Sequence, residues 1–175
     1  MRIAILGYGV VGGGVHALLR DGSLGMTVGR VLDRRVLPEL GPLRTAKIRD
    51  ILEDRSIDAV VEAIGGLHPA LDFVHAALCA GKHVVTSNKE LVASHGRELL
   101  DIAREKNVNY LFEASVGGGI PVLRPLTWCL AGNQIQEIAG ILNGTTNYIL
   151  TRMVKGGVSF DAALKEAQAR GYAEA

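Results

Sequence analysis

Apolar and polar positions along this chain follow two rhythms, and the switches between them mark out its elements. Ile3 to Leu6 is a short apolar, β-branched run that predicts a strand, and the spacing of Val15, Leu18 and Leu19 predicts a helix after it. Met26 to Leu32 predicts a second strand. Pro38 and Pro42 punctuate a loop, Ile48, Ile51 and Leu52 suggest a short helix, and Asp58 to Ala63 reads as a third strand. Pro69 opens a helix with Leu71, Val74, Ala77 and Leu78 on one face and Gly81 as its cap, and His83 to Thr86 is the next strand. An amphipathic helix over Arg97 to Lys106, a strand from Asn109 to Glu113 and a helix from Pro121 through Leu126 and Leu130 to Gly132 follow. Strands alternating with helix-length crossovers predict an α/β fold, a doubly wound parallel sheet with right-handed connections.

From Gln134 to Leu142 the rhythm changes to the apolar/polar alternation of a half-buried antiparallel strand. A boundary is therefore expected near Gly132, with a sheet domain over residues 1–132 and the beginning of an α+β domain over residues 133–175. The polar turn Asn143 to Asn147 carries capping residues and leads to a helix from Tyr148 to Val154 that stops at Gly156-Gly157. Ser159 is expected to cap a last helix, Phe160 to Ala169.

Between the first strand and the first helix stands Gly7-x-Gly9-x-x-Gly12. Dinucleotide chemistry uses glycine at all three places: the first for a tight turn, the second so that backbone approaches a pyrophosphate, the third so that helix packs on strand. The N–H groups at the helix start then face the phosphates. Asp33 ends the second apolar run about 20 residues further on, where a ribose-binding carboxylate belongs. This strand, turn and helix predict a Rossmann-type NAD(P)-binding domain. Asp33 favours NAD, whereas Arg34 and Arg35 would attract the extra phosphate of NADP, or form a solvated strand end; the choice of cofactor stays open.

Composition narrows the classes. The 175 residues are 48% hydrophobic and 21% charged, with a formal net charge of +1, and no basic run marks a nucleic-acid footprint. No stretch approaches the roughly 18 apolar residues of a membrane span, and the opening apolar run is too short for a signal peptide, so a cytoplasmic protein is expected. Cys79 and Cys129 lie in apolar helical patterns without CxxC spacing and are expected to be buried free thiols; the scattered histidines suggest no metal site.

Three further stretches invite chemistry. Ile64-Gly65-Gly66 is a second glycine turn at a strand's carboxyl end. In Thr86-Ser87-Asn88-Lys89-Glu90 a lysine opens a helix at the same sheet edge, where it either is solvated or pairs with a carboxylate or polarises a carbonyl. Glu113-Ala114-Ser115-Val116-Gly117-Gly118-Gly119-Ile120-Pro121 leaves backbone bare, either as a flexible loop or as a source of hard oxygen ligands.

With the glycine loop, SNKE, EASVGGGIP, NGTTNYIL and GYAEA in one order, the sequence resembles homoserine dehydrogenase from end to end. The resemblance implies NAD(P)-linked interconversion of L-homoserine and L-aspartate 4-semialdehyde, on the branch leading to threonine and methionine. It places the cofactor on Tyr8, Val10 and Val11, on Gly65, Ser87 and Lys89, and on Gly171, and substrate recognition on Glu174. It implies a sodium site built from Glu113, Val116, Gly118 and Ile120, largely through backbone oxygens, and a homodimer or tetramer. In the family an aspartate and a proton-donating lysine follow GYAEA, and this chain stops before them, so a fragment of a larger enzyme is expected, with Lys89 as its catalytic contribution. Two other readings stand beside this one: a nucleotide-binding or dimerisation module without activity, whose exposed strand at Gln134 to Leu142 would need a partner, and another amino-acid semialdehyde or imine reductase.

Overall fold

Six strands, all parallel, form one sheet: β1 (Arg2–Leu6), β2 (Thr27–Leu32), β3 (Arg44–Thr45), β4 (Ala59–Glu62), β5 (His83–Thr86) and β6 (Tyr110–Leu111). In this computed structural model, which describes residues 1–173, they lie in the order β3-β2-β1-β4-β5-β6. Side chains on successive residues of β1 alternate between faces, and both faces are covered. Ile3 and Ile5 pack with Val31, Leu19 and Leu40, while Ala4 and Leu6 pack with Val60, Val84, Val74, Leu78, Leu91 and Leu99. Each such buried Ile or Leu contributes about 2 kcal/mol.

Helix α1 (Val10–Leu19) and a 3-10 turn, Pro38–Leu43, supply the first cover. The other face carries α2 (Arg49–Leu52), α3 (Ala70–Cys79) and α4 (Lys89–Glu105). The sheet is therefore doubly wound, as the alternation of runs predicts. Two charged side chains are buried at its opposite ends. The Lys82 ammonium, at the amino end of β5, donates to the carbonyls of Asp54 (2.8 Å) and Ile57 (2.9 Å), and burial pushes its pKa down. Glu62 ends β4 at the carboxyl edge.

The chain divides into two compact units, Met1–Cys129 and the residues from Leu130 onward. The first closes with β6, a single helical turn α5 (Glu113–Val116) and a π-helical turn, Pro125–Cys129. The second contains α6 (Gly144–Gly156) and α7 (Phe160–Ala169), joined by Gly157 in the left-handed region at φ 63°. Asn143 caps α6 through the Thr146 N–H at 2.8 Å, and Ser159 caps α7 through the Ala162 N–H at 3.3 Å. Ile149, Ala163 and Ala167 form the small core between them.

Several expectations need correcting. The strand expected over Gln134 to Leu142 does not form: these residues carry no strand and are exposed, with Ile138 at 67% and Ile141 at 72%. A strand exists only by pairing, and the second unit offers no strand edge among its described residues. The strand expected over Asn109 to Glu113 shrinks to Tyr110–Leu111, because Glu113 turns into α5. The helix expected from Pro121 to Gly132 is confined to residues 123–129, since Pro125 has no N–H to donate and its turn widens. The helix expected to open at Lys89 and to continue through Arg97 to Lys106 forms as α4, and Asn88 caps it by accepting from the Leu91 N–H at 3.0 Å. Cys79 and Cys129 are free but exposed, because they end their helical turns on the solvent side.

Candidate functional site

The order of strands reverses between β1 and β4, and their carboxyl ends bound a crevice there. Gly7 leaves β1 at φ 90°, with the space of a Cβ blocked by the Ala63 carbonyl oxygen at 2.8 Å. A Cβ on Gly12 would lie 1.9 Å from the Gly7 carbonyl oxygen, so this position seats α1 directly on the turn. Gly9, between them, has nothing within 4 Å of its Cβ position. It caps α1 without a side chain, and no acidic residue stands in the first turn, so no side-chain cap among the described residues occupies the N–H groups at the start of α1. Val10 and Val11, the first helical residues, are exposed. This is the cradle that a pyrophosphate fits.

The carboxylate of Asp33 is more heavily engaged than its sequence position suggests. Its Oδ2 accepts from the Tyr8 N–H (2.9 Å) and Arg35 Nη2 (2.9 Å), and its Oδ1 from the Arg35 N–H (2.8 Å) and Nε (3.0 Å). The same guanidinium donates to the Tyr8 carbonyl at 2.7 Å. Arg35 chiefly, with the backbone N–H groups, holds the Asp33 carboxyl well below the usual carboxylate range. Arg35 is thus not simply a solvated strand end, while the exposed Arg34 guanidinium has no partner among the described residues. The Tyr8 hydroxyl meets His16 Nδ1 at 2.7 Å.

Parallel register brings the next two loops to the same edge, since Leu6 pairs with Glu62 and Glu62 with Thr86. Gly65 is exposed in the left-handed region at φ 76°, Ser87 is half-buried, and Lys89 is the exposed first residue of α4 with no ion pair among the described residues. Between these loops lies a cluster missed by pattern reading. Glu62, 0% exposed, accepts from the N–H groups of Ile64 (2.8 Å) and Gly65 (3.3 Å) and from the Thr86 hydroxyl. An acidic residue closing the apolar run AVVE was the available signal.

Glu113 follows β6, which lies beside β5, at this same edge. Its carboxylate accepts from the N–H groups of Val122 (2.5 Å), Leu123 (2.8 Å) and Arg124 (2.8 Å), and these bonds, that of Val122 first, lower its pKa. It therefore caps the helical turn that follows, while its backbone oxygen accepts from the Gly117 N–H at 3.3 Å. No described donor reaches the carbonyls of Val116, Gly118 or Ile120, and the Ile120 carbonyl turns toward Gly117. No group of three His, Cys, Asp or Glu that could hold a metal exists among the described residues. Gly171 lies in the second unit after α7, at φ 73°. Glu174 lies outside the described residues.

Residues 7–113 match the family model described as homoserine dehydrogenase, NAD binding domain, and residues 121–175 match that described as homoserine dehydrogenase. The chain is 44% identical to the homoserine dehydrogenase of Synechocystis sp., over 100% of this chain and 43% of that protein. The crystal structure of a homoserine dehydrogenase from Thiobacillus denitrificans superposes with a TM-score of 0.90 at 44% identity, covering 100% of this chain and 43% of that one. A hyperthermophilic archaeal homoserine dehydrogenase in complex with NADPH superposes with a TM-score of 0.84 at 27% identity, over 99% of this chain and 62% of that one. The chain thus spans less than half the length of the first two. Since the NAD-binding family model alone covers most of the sheet unit and the relatives align along the whole sequence, the chain belongs to the homoserine dehydrogenase family.

Proposed function

We propose that this chain carries the dinucleotide site of an NAD(P)-dependent homoserine dehydrogenase, interconverting L-homoserine and L-aspartate 4-semialdehyde in the synthesis of threonine and methionine. The observation that carries the reading is the bare start of α1 at the β1/β4 crevice, with Gly9 open and Gly12 seated on Gly7. Residues 1–132 would form the nucleotide domain and residues 133–175 the beginning of the substrate domain.

A bound nicotinamide dinucleotide supplies or accepts the hydride at the substrate's terminal carbon. The chain's own residues bind and orient. The N–H groups at Gly9 to Gly12 hold the pyrophosphate, Tyr8, Val10 and Val11 line it, and Gly65, Ser87 and Lys89 border the opposite half of the crevice. The family resemblance assigns Gly171 to the cofactor and Glu174 to the substrate's ammonium. Lys89, a free ammonium at the strand edge, polarises the reacting oxygen. Asp33 accepts from an adenosine ribose, NAD being slightly favoured; with NADP, Arg35 leaves Asp33 and joins Arg34 on the extra phosphate.

The oxygen-rich loop fits a hard monovalent cation in kind: carbonyls of Val116, Gly118 and Ile120, with the backbone oxygen of Glu113, would hold sodium. Assembly as a dimer or larger would cover the exposed apolar residues from Ile135 to Leu142. The deciding experiment follows nicotinamide absorbance in the full-length protein with L-homoserine and a panel of other amino alcohols. A preference for homoserine, reduced about 100-fold in kcat by Lys89→Ala, is expected; preference for another alcohol overturns the substrate, and unchanged turnover removes Lys89.

A further inference from the structure

The cluster around Glu62 does more than end a strand. At this level of the sheet its neighbours are Leu6 and Thr86, and Leu6 is, like Glu62, 0% exposed. A carboxylate in such a place costs several kcal/mol of desolvation that an apolar side chain would avoid. What it holds explains why a polar group stands there. Two of its three donors are consecutive N–H groups of the loop after β4, at Ile64 and Gly65. The third is the Thr86 hydroxyl, whose oxygen in turn accepts from the Asn88 N–H at 2.9 Å. Asn88 closes the circuit: its Nδ2 donates to the Gly66 carbonyl at 2.6 Å, while its Oδ1 caps α4 at Leu91. Two side-chain bonds, Thr86 to Glu62 and Asn88 to the Gly66 carbonyl, therefore fasten the loop bearing Gly65 to the loop bearing Ser87 and Lys89, and the bonds within each loop hold their ends in place.

We infer that Glu62 is a positioning residue, and Thr86 and Asn88 its relay, which fix Gly65, Ser87 and Lys89 against one another around the nicotinamide half of a bound dinucleotide. The inference rests on the dinucleotide reading above. It assigns the halves by topology: β1 to β3, with Asp33, serve the adenosine side, and β4 to β6 serve the other. Glu62 itself touches neither ligand half, because it is sealed from solvent; it acts only through the backbone and hydroxyl groups that it accepts from.

The test titrates the full chain with NADPH and, separately, with ADP, which carries the adenosine half alone. Glu62→Gln and Thr86→Val each remove one acceptor or donor from the circuit and should weaken NADPH binding about tenfold. Thr86→Ser keeps the hydroxyl and should restore affinity to within about twofold of wild type, and the ADP affinity of all variants should stay within about twofold. The double variant Glu62→Gln/Thr86→Val should be no weaker than either single one, since both break the same link. NADPH and ADP lost in equal proportion, or Thr86→Ser as weak as Thr86→Val, would make the cluster merely structural and overturn the inference. Wild-type protein that binds neither NADPH nor NADH would overturn the dinucleotide reading and this inference together; intact binding in every variant overturns this inference alone. If Glu62→Gln fails to fold, the Thr86 pair decides by itself.

Discussion

The sheet unit and the helical unit reach order by different means. In the first, β1 is buried from both sides, and its apolar residues interlock with side chains far away in sequence, such as Leu78 and Leu99. In the second, order is local: Asn143, Gly157 and Ser159 punctuate two helices whose buried core is Ile149, Ala163 and Ala167. Where the second unit would have to borrow a distant partner, over residues 134–142, it forms no strand and exposes Ile135, Ile138, Ile141 and Leu142. Capping and periodicity alone suffice for helices, whereas a strand needs its neighbour.

The sharpest way to break this contrast is to add one carbon atom to a glycine in each unit. Gly12→Ala in the sheet unit places a Cβ against the Gly7 carbonyl, where backbone must move; a loss on the order of 3 kcal/mol in chemical denaturation is expected, with dinucleotide binding abolished. Gly157→Ala in the helical unit meets open space and suffers only from its left-handed φ, a loss of about 1 kcal/mol. Equal losses would deny the difference between tertiary and local order.

Truncation of apolar side chains gives the next largest effect. Leu99→Ala, at 0% exposure, should cost about 3 kcal/mol. Ile138→Ala, at 67% exposure, should change the stability of the isolated chain by less than about 0.5 kcal/mol. A large loss at Ile138 would show that this segment is packed in solution.

Acid provides a third probe. Arg35 keeps the Asp33 carboxyl well below the usual range, so the folded protein takes up this proton less readily than the unfolded chain. Its contribution is complete above the unfolded value of about 4 and fades as pH falls through the folded one. Denaturation midpoints measured on either side of that value should therefore drop less in Asp33→Asn than in wild type. A small effect of opposite sign is expected from Tyr110→Phe. The Tyr110 hydroxyl is buried without a partner among the described residues, and burial raises its pKa, so removing it should raise stability by about 1 kcal/mol or less, and the melting temperature slightly with it.

Much of the sheet unit could be read directly. The run Ile3 to Leu6, the glycines at 7, 9 and 12 and the helix face of α3 carry their own signals, because each depends on neighbours in sequence. What escaped reading depends on partners set by register. Glu62 looks like the polar tail of AVVEA until Leu6 and Thr86 are placed beside it. β3 has only Arg44 and Thr45, too few for any rhythm. Arg35 is a different lesson: its N–H bonds to Asp33 Oδ1 two residues back, a local Asx-type turn that could have linked the pair without a structure. Gln134 to Leu142 misled because alternation specifies which face is apolar, not whether a partner is there.

The place of β1 in the sheet also bears on how the protein is made. It precedes every other strand in sequence yet is paired on both edges, to β2 and to β4. On the ribosome it can find its first partner when Leu32 has emerged, but its second edge stays open until Glu62 is out of the exit tunnel. For that interval an apolar ribbon with free N–H and C=O groups is offered to any passing chain. Synthesis rate over residues 33–62, more than over any other stretch, should therefore govern the yield of soluble protein.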